Sequence, residues 1–275
     1  MSGPRDAVNW MAIRTIVGRD IRAVRRSKAI TLPMIFVPVV LLILLPFGLG
    51  IIARNAPTDQ VQNVLSSSLV KGLAKPILAM PERERLVVLV LGYLLSPLLL
   101  VIPLMVSAVL AADAFAGEKE RRTLEVVLHL PISDRDLFLS KVLTAWLPAI
   151  AITWIGAAIY SFICNVVAWP ATHHAFLPFS QFLVMIIWIA PAVALLALGL
   201  LVIVSSRART TQEANQLGGA VILPLIFVAA AQASTLMLLP VAGVFAVGTL
   251  VWAIALVLVW VNSRRFTRDR LAASG

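Results

Sequence analysis

The chain has 275 residues, of which 60% are hydrophobic and 13% charged, and its mean hydropathy is +0.97. Soluble globular chains carry roughly 45–50% apolar and about 25% charged residues, so a water-soluble fold is excluded, and disorder, which needs the opposite balance, is excluded with it. The net charge of +10 does not signal nucleic-acid binding, because the basic residues edge the apolar runs of an integral membrane protein instead of mixing with aromatics on a solvated face.

Residues 5–28 form the first element. On a helical wheel Trp10, Ile13, Ile16, Val17, Ile21 and Val24 share one side, and Arg14, Arg19, Arg22, Arg25 and Arg26 the other. Such a helix lies in the membrane interface with its arginines toward phosphates, or else packs on a partner; the interface is the expectation here. Asp20 sits on the apolar side and interrupts the pattern.

Charge-free runs then set the spans. Ala29 to Ala53 gives 25 residues and Leu86 to Ala112 gives 27, each enough for one helix. The first is too long for the apolar core of a signal peptide, about 7–15 residues, so it is expected to remain in the mature protein. No charge occurs over the 65 residues from Val142 to Ser206 or the 50 from Ala214 to Ser263, so each of these holds two spans folded back on each other. Trp169 to His174 and the region of Pro240 and Gly243 are the expected turns. The runs are continuous, not alternating, which excludes a spanning β-barrel.

The expected fold is thus an all-α polytopic membrane protein, a single transmembrane domain over residues 1–275. Six transmembrane helices at about 30–53, 86–112, 142–167, 181–205, 216–238 and 241–262 follow the amphipathic interfacial helix. With both termini cytoplasmic, eighteen of the 23 Lys and Arg residues lie inside and five outside, a strong positive-inside bias. The extracytoplasmic loop 54–85 is too short for a separate domain. Its Val61, Val64, Leu65, Leu69 and Leu73 recur at helical spacing, as in a segment resting on the membrane surface.

The inside loop 113–141 is the most informative stretch. Leu124, Val127 and Leu128 form an apolar stripe flanked by Glu118, Arg121, Arg122 and Glu125, and Pro131 ends that helix. Ser133 with Asp136 three residues on reads as a capping pair opening the next helix, which enters the third span at Lys141. A short charged helix is therefore held between two spans. By itself this is either a docking surface or an ordinary solvated hairpin.

The loop resembles the membrane subunits of type-2 ABC transporters, whose second and third spans are joined by D-x-F-x-G-E-[KR]-E-x-G-T-L-E-x-L-L-x-x-P-[IV]-S followed by Lys. Asp113, Phe115, Gly117, Glu118, Lys119, Glu120, Thr123, Leu124, Glu125, Leu128, Pro131, Ile132, Ser133 and Lys141 match it. Arg122 replaces the usual Gly, and Val127 replaces Leu. Ser205 to Gly219 is similar to the family's inside loop between spans four and five. The resemblance implies a permease subunit, two per transporter, paired as homodimer or heterodimer in a bacterial or archaeal plasma (inner) membrane. Each subunit docks an ATP-binding cassette subunit, with ATP and Mg on that partner and no cofactor on this chain. The coupling helix seated in the ATPase is implied to include Glu118, Lys119, Arg121, Arg122, Thr123, Glu125, Leu128 and Pro131. Family analogy implies export of an apolar or amphipathic substrate.

Enzymatic chemistry is missing from the chain. There is no P-loop, H-E-x-x-H, G-x-S-x-G or cysteine–histidine ligand set. His173 and His174 are too few for a metal site and read as polar filler in an outer turn; His129 receives no role. Cys164 reads as a small buried hydrophobe, and Gly218 and Gly219 as allowing close helix packing. No ionisable residue lies deep in a span, which counts against an ion-coupled carrier. Asn165 and Gln232 are expected to hydrogen-bond between helices. Prolines 33, 38, 46, 97, 103, 148, 191 and 224 suit gating kinks or static packing equally. The remaining alternative is an ATP-independent channel or carrier, which needs no docking loop.

Overall fold

The computed structural model describes residues 9–57, 77–113, 133–205, 212–213, 216, 218–220, 223–224, 236 and 238–265. Among them all regular structure is helical. Asn9 caps α1 (Trp10–Arg26) by accepting the Ala12 N–H at 3.1 Å. Extended Ser27 ends that helix and turns the chain into α2 (Lys28–Val39). A π-helical turn (Val40–Leu44) joins α2 to α3 (Leu45–Arg54). Further along come α4 (Glu82–Val88), a π-helical segment (Leu89–Leu95), a 3-10 turn (Ser96–Leu100) and α5 (Val101–Ala112). The long α6 (Asp134–Thr172) follows, then α7 (Ser180–Val184), a third π segment (Met185–Ile189), α8 (Ala190–Ser205) and α9 (Val241–Arg265).

Five of these continuous helical stretches are long and apolar enough to cross a membrane: Met34–Arg54, Glu82–Ala111, Asp134–Thr172, Ser180–Ile203 and Val241–Arg264. The further span expected at 216–238 lies mostly outside the described residues. Gly218 within it is helical, and a Cβ there would come within 2.8 Å of Leu201 on α8, so this glycine permits close approach. The second and fourth spans are central, with 72% of their most apolar window buried, against 22%, 39% and 17% for the first, third and last. The peripheral spans carry the exposed large apolar side chains, such as Phe36 and Phe47 on the first, Ile155 and Phe162 on the third, and Leu250 and Val257 on the last. In lipid these cost nothing to expose.

Each of these three π segments ends two residues before a proline: Leu44 before Pro46, Leu95 before Pro97, Ile189 before Pro191. Proline lacks an N–H and its ring crowds the carbonyl four residues back, and the wider turn relieves that clash. The widened ladder is visible where the Ala190 N–H donates to Met185 O and the Leu45 N–H to Val40 O. In that register the Ile186 carbonyl falls to Pro191, which has nothing to donate. Trp154 of α6 supplies the donor instead, its Nε1–H reaching Ile186 O at 3.1 Å. Trp146 likewise donates to Pro191 O at 2.9 Å, and Trp252 of α9 to Trp188 O at 3.0 Å. In the second span the Leu91 carbonyl accepts from Ser96 Oγ at 2.9 Å and from the buried Tyr160 hydroxyl. Backbone freed inside hydrocarbon is thus re-satisfied by neighbouring helices. Prolines 148 and 170 sit inside continuous α6 with no such break.

Candidate functional site: the corner at the loop between the second and third spans

Glu118, Lys119, Arg121, Arg122, Thr123, Glu125, Leu128 and Pro131 lie outside the described residues, as do His129, Arg207, Arg209 and Gln232. The structure does describe the two ends of their loop. Asp113 closes the second span. Ser133 opens α6, its hydroxyl oxygen accepting the Asp136 N–H at 3.1 Å, and Asp134 and Asp136 stand in the first turn where the helix dipole favours anions. The capping pair read from sequence is present.

α1 is fastened to this start of α6. Its Ile13, Ile16, Val17 and Val24 are buried within the chain, whereas Trp10, Met11, Arg14 and Arg22 stay exposed. The Asn9 N–H donates to Asp136 Oδ2 at 3.4 Å. Lys141 Nζ meets Asp20 Oδ2 at 3.3 Å, and Arg19 Nε meets Asp20 Oδ1 at 2.9 Å. The Lys141 side chain is 5% exposed and that of Asp20 15%. Asp20, which interrupts the apolar stripe, is therefore the counter-ion of the lysine that follows the loop motif. A buried pair adds little net stability but is costly to break, because one charge is then left without its partner. The aspartate on the wrong face was the only sequence signal for this contact, and a partner 121 residues away could not be inferred from it.

The remaining sequence candidates resolve locally. Asn165 does not bridge two helices. Its Nδ2 donates to Leu177 O at 2.7 Å, and its Oδ1 accepts the Phe176 and Leu177 N–H groups at 3.1 Å each, fastening the connection between α6 and α7. A loop folded back under the helix end offers three closer partners than any neighbouring span. His173 ends α6 in the left-handed region (φ 53) with its N–H on Trp169 O at 2.9 Å, and His174 Nδ1 pairs with Thr172 O at 2.7 Å. Both are helix-terminating groups. Cys164 is fully buried. Among the described residues no three His, Cys, Asp or Glu side chains gather in a metal-binding group.

Several membrane-length helices, two of them central and broken at prolines, with a charged corner at one end of the bundle, define a multi-pass α-helical membrane protein. Residues 14–242 match the family described as ABC-2 family transporter protein. The chain belongs to that family: it is a membrane permease of an ABC transporter, a transport subunit of a kind that associates with an ATP-binding subunit. No curated protein and no solved structure matches it.

Proposed function

We propose that the chain is one of two permease subunits, identical or different, of an ATP-driven exporter of apolar or amphipathic molecules in a bacterial or archaeal plasma membrane. It crosses six times with both termini cytoplasmic, and α1 lies at headgroup level with Trp10, Met11 and the exposed arginines toward lipid. The loop 113–141 docks the ATP-binding subunit, which carries ATP and Mg, through the helix around Glu118–Leu128. The observation that carries this reading is the near-complete loop motif from Asp113 to Lys141 in a chain of this family. The described geometry supports it, since Lys141 ends the motif and is paired with α1. A push on the loop then reaches α1 and the third span together. The largely apolar spans support an apolar or amphipathic cargo.

Purification from native membranes in mild detergent, with identification of co-eluting chains, tests the reading. A stoichiometric P-loop subunit that is lost when Glu118, Arg122 and Glu125 are replaced together is the expected result. Transport that survives this triple replacement, with the chain eluting alone, would establish an ATP-independent channel or carrier instead.

A further inference from the structure

At the end of the bundle away from α1, the first three spans surround a cavity of about 660 Å³. Arg54 and Asn55 line it from the end of α3, Glu82, Arg83 and Leu86 from the start of α4, and Pro170 from the last turn of α6. Pro170 lies 29 residues beyond Lys141 on one continuous helix, about 44 Å at 1.5 Å per residue. That exceeds a hydrocarbon core of about 30 Å, so the cavity and the α1 corner belong to opposite membrane faces.

Among the described lining residues the charge is unbalanced: Arg54 and Arg83 are basic, and the one carboxylate, Glu82, stands 3.8 Å from a third arginine, Arg85. Arg85 is occupied structurally, donating to Met80 O at 2.9 Å and Leu78 O at 3.1 Å, which sets the chain's entry into α4. Arg54 donates to Val167 O at 3.3 Å, which draws its guanidinium toward α6. The volume is that of a small-molecule site, about 300–1,000 Å³, and a guanidinium matches phosphate oxygens in geometry and charge. The exposed apolar side chains Ile52 and Trp169 lie close by in sequence, a tryptophan position typical of headgroup depth. We propose that this cavity binds the phosphate of a phospholipid headgroup, anchoring one lipid against the first three spans. This goes beyond the transport reading and does not depend on it.

The test is native mass spectrometry of the full-length chain in detergent, titrated with phosphatidylglycerol, with diacylglycerol and with inorganic phosphate. The double variant Arg54→Gln/Arg83→Gln is expected to retain phosphatidylglycerol about tenfold less well, with diacylglycerol retention unchanged. Arg83→Glu alone, at an exposed position, keeps the fold and shows a loss in the same direction should the double variant not fold. Unchanged phosphatidylglycerol binding in both cavity variants overturns the proposal. Inorganic phosphate that binds with the same arginine dependence and as tightly as the lipid identifies a free-anion site and overturns the lipid assignment.

Discussion

One helix, α6, holds its neighbours in two different ways. At its start it is joined to α1 by charge, through Lys141 with Asp20 and Asp136 with the Asn9 N–H. Further along it is joined to the fourth span by neutral donors, through Trp154 on Ile186 O and Trp146 on Pro191 O. The change in chemistry follows the change in solvent. Near the membrane surface an ion pair is tolerated because further charged side chains complete its solvation, as Arg19 does for Asp20. Inside hydrocarbon a bare carbonyl is the expensive group, and an indole N–H meets it without importing a charge.

Removing either half of the charged joint is the most damaging way to break this comparison. Asp20→Ala is expected to lower stability by about 3 kcal/mol, read from chemical unfolding in detergent, because the buried ion pair between Asp20 and Lys141 is lost. Asp20→Ala/Lys141→Met is expected to recover much of that loss; a double variant as unstable as the single one would show that the pair is not the cause.

Gly248 gives the next effect. A Cβ there would stand 2.5 Å from Trp188 Cδ1, an atom of a rigid ring stacked at 4.9 Å on Phe245. Gly248→Ala is expected to cost about 1–3 kcal/mol. At Gly156 the opposing atom is also at 2.5 Å, but it is the flexible tip of Leu42. Gly156→Ala should therefore cost clearly less, and equal thermal shifts for the two would remove the distinction between rigid and yielding neighbours.

Trp154→Phe keeps the ring and deletes the donor, with an expected loss of about 1 kcal/mol. Coupling to Pro191→Ala sharpens the point. That change restores a backbone N–H for the fourth span, so the tryptophan substitution should cost less in its background, and strictly additive losses in a double-mutant cycle would refute the link. The smallest expected effect is a gain. A Cβ added at Gly18 on α1 would meet nothing within 4 Å, so Gly18→Ala is expected to stabilise by about 0.5–1 kcal/mol through helix propensity, read as a rise in the unfolding midpoint.

Much of the fold was legible because bilayer thickness converts charge-free length directly into spans, and because Ser133 and the turn near Trp169 to His174 are local signals. The central position of the second and fourth spans was not legible, since all the spans are uniformly apolar and lipid accepts any face. Nor did the prolines announce which turns would widen: Pro191 lies beside a π segment and Pro148 in unbroken α-helix, a difference that depends on the surrounding packing. The role of Asn165 was hidden because its partners, Phe176 and Leu177, belong to a connection whose path is set by tertiary folding.

The sequence by itself determined the solvent, the helical class, the family and the amphipathic order of α1. These follow from composition, period and motif, all of which are properties of neighbouring residues. Only the tertiary structure decided that Asp20 belongs to Lys141, that Trp154 serves Ile186, and that Arg54 and Arg83 converge on one cavity. Each joins residues tens of positions or more apart, and such contacts are selected by the packing of whole helices, which satisfies buried charge and backbone together.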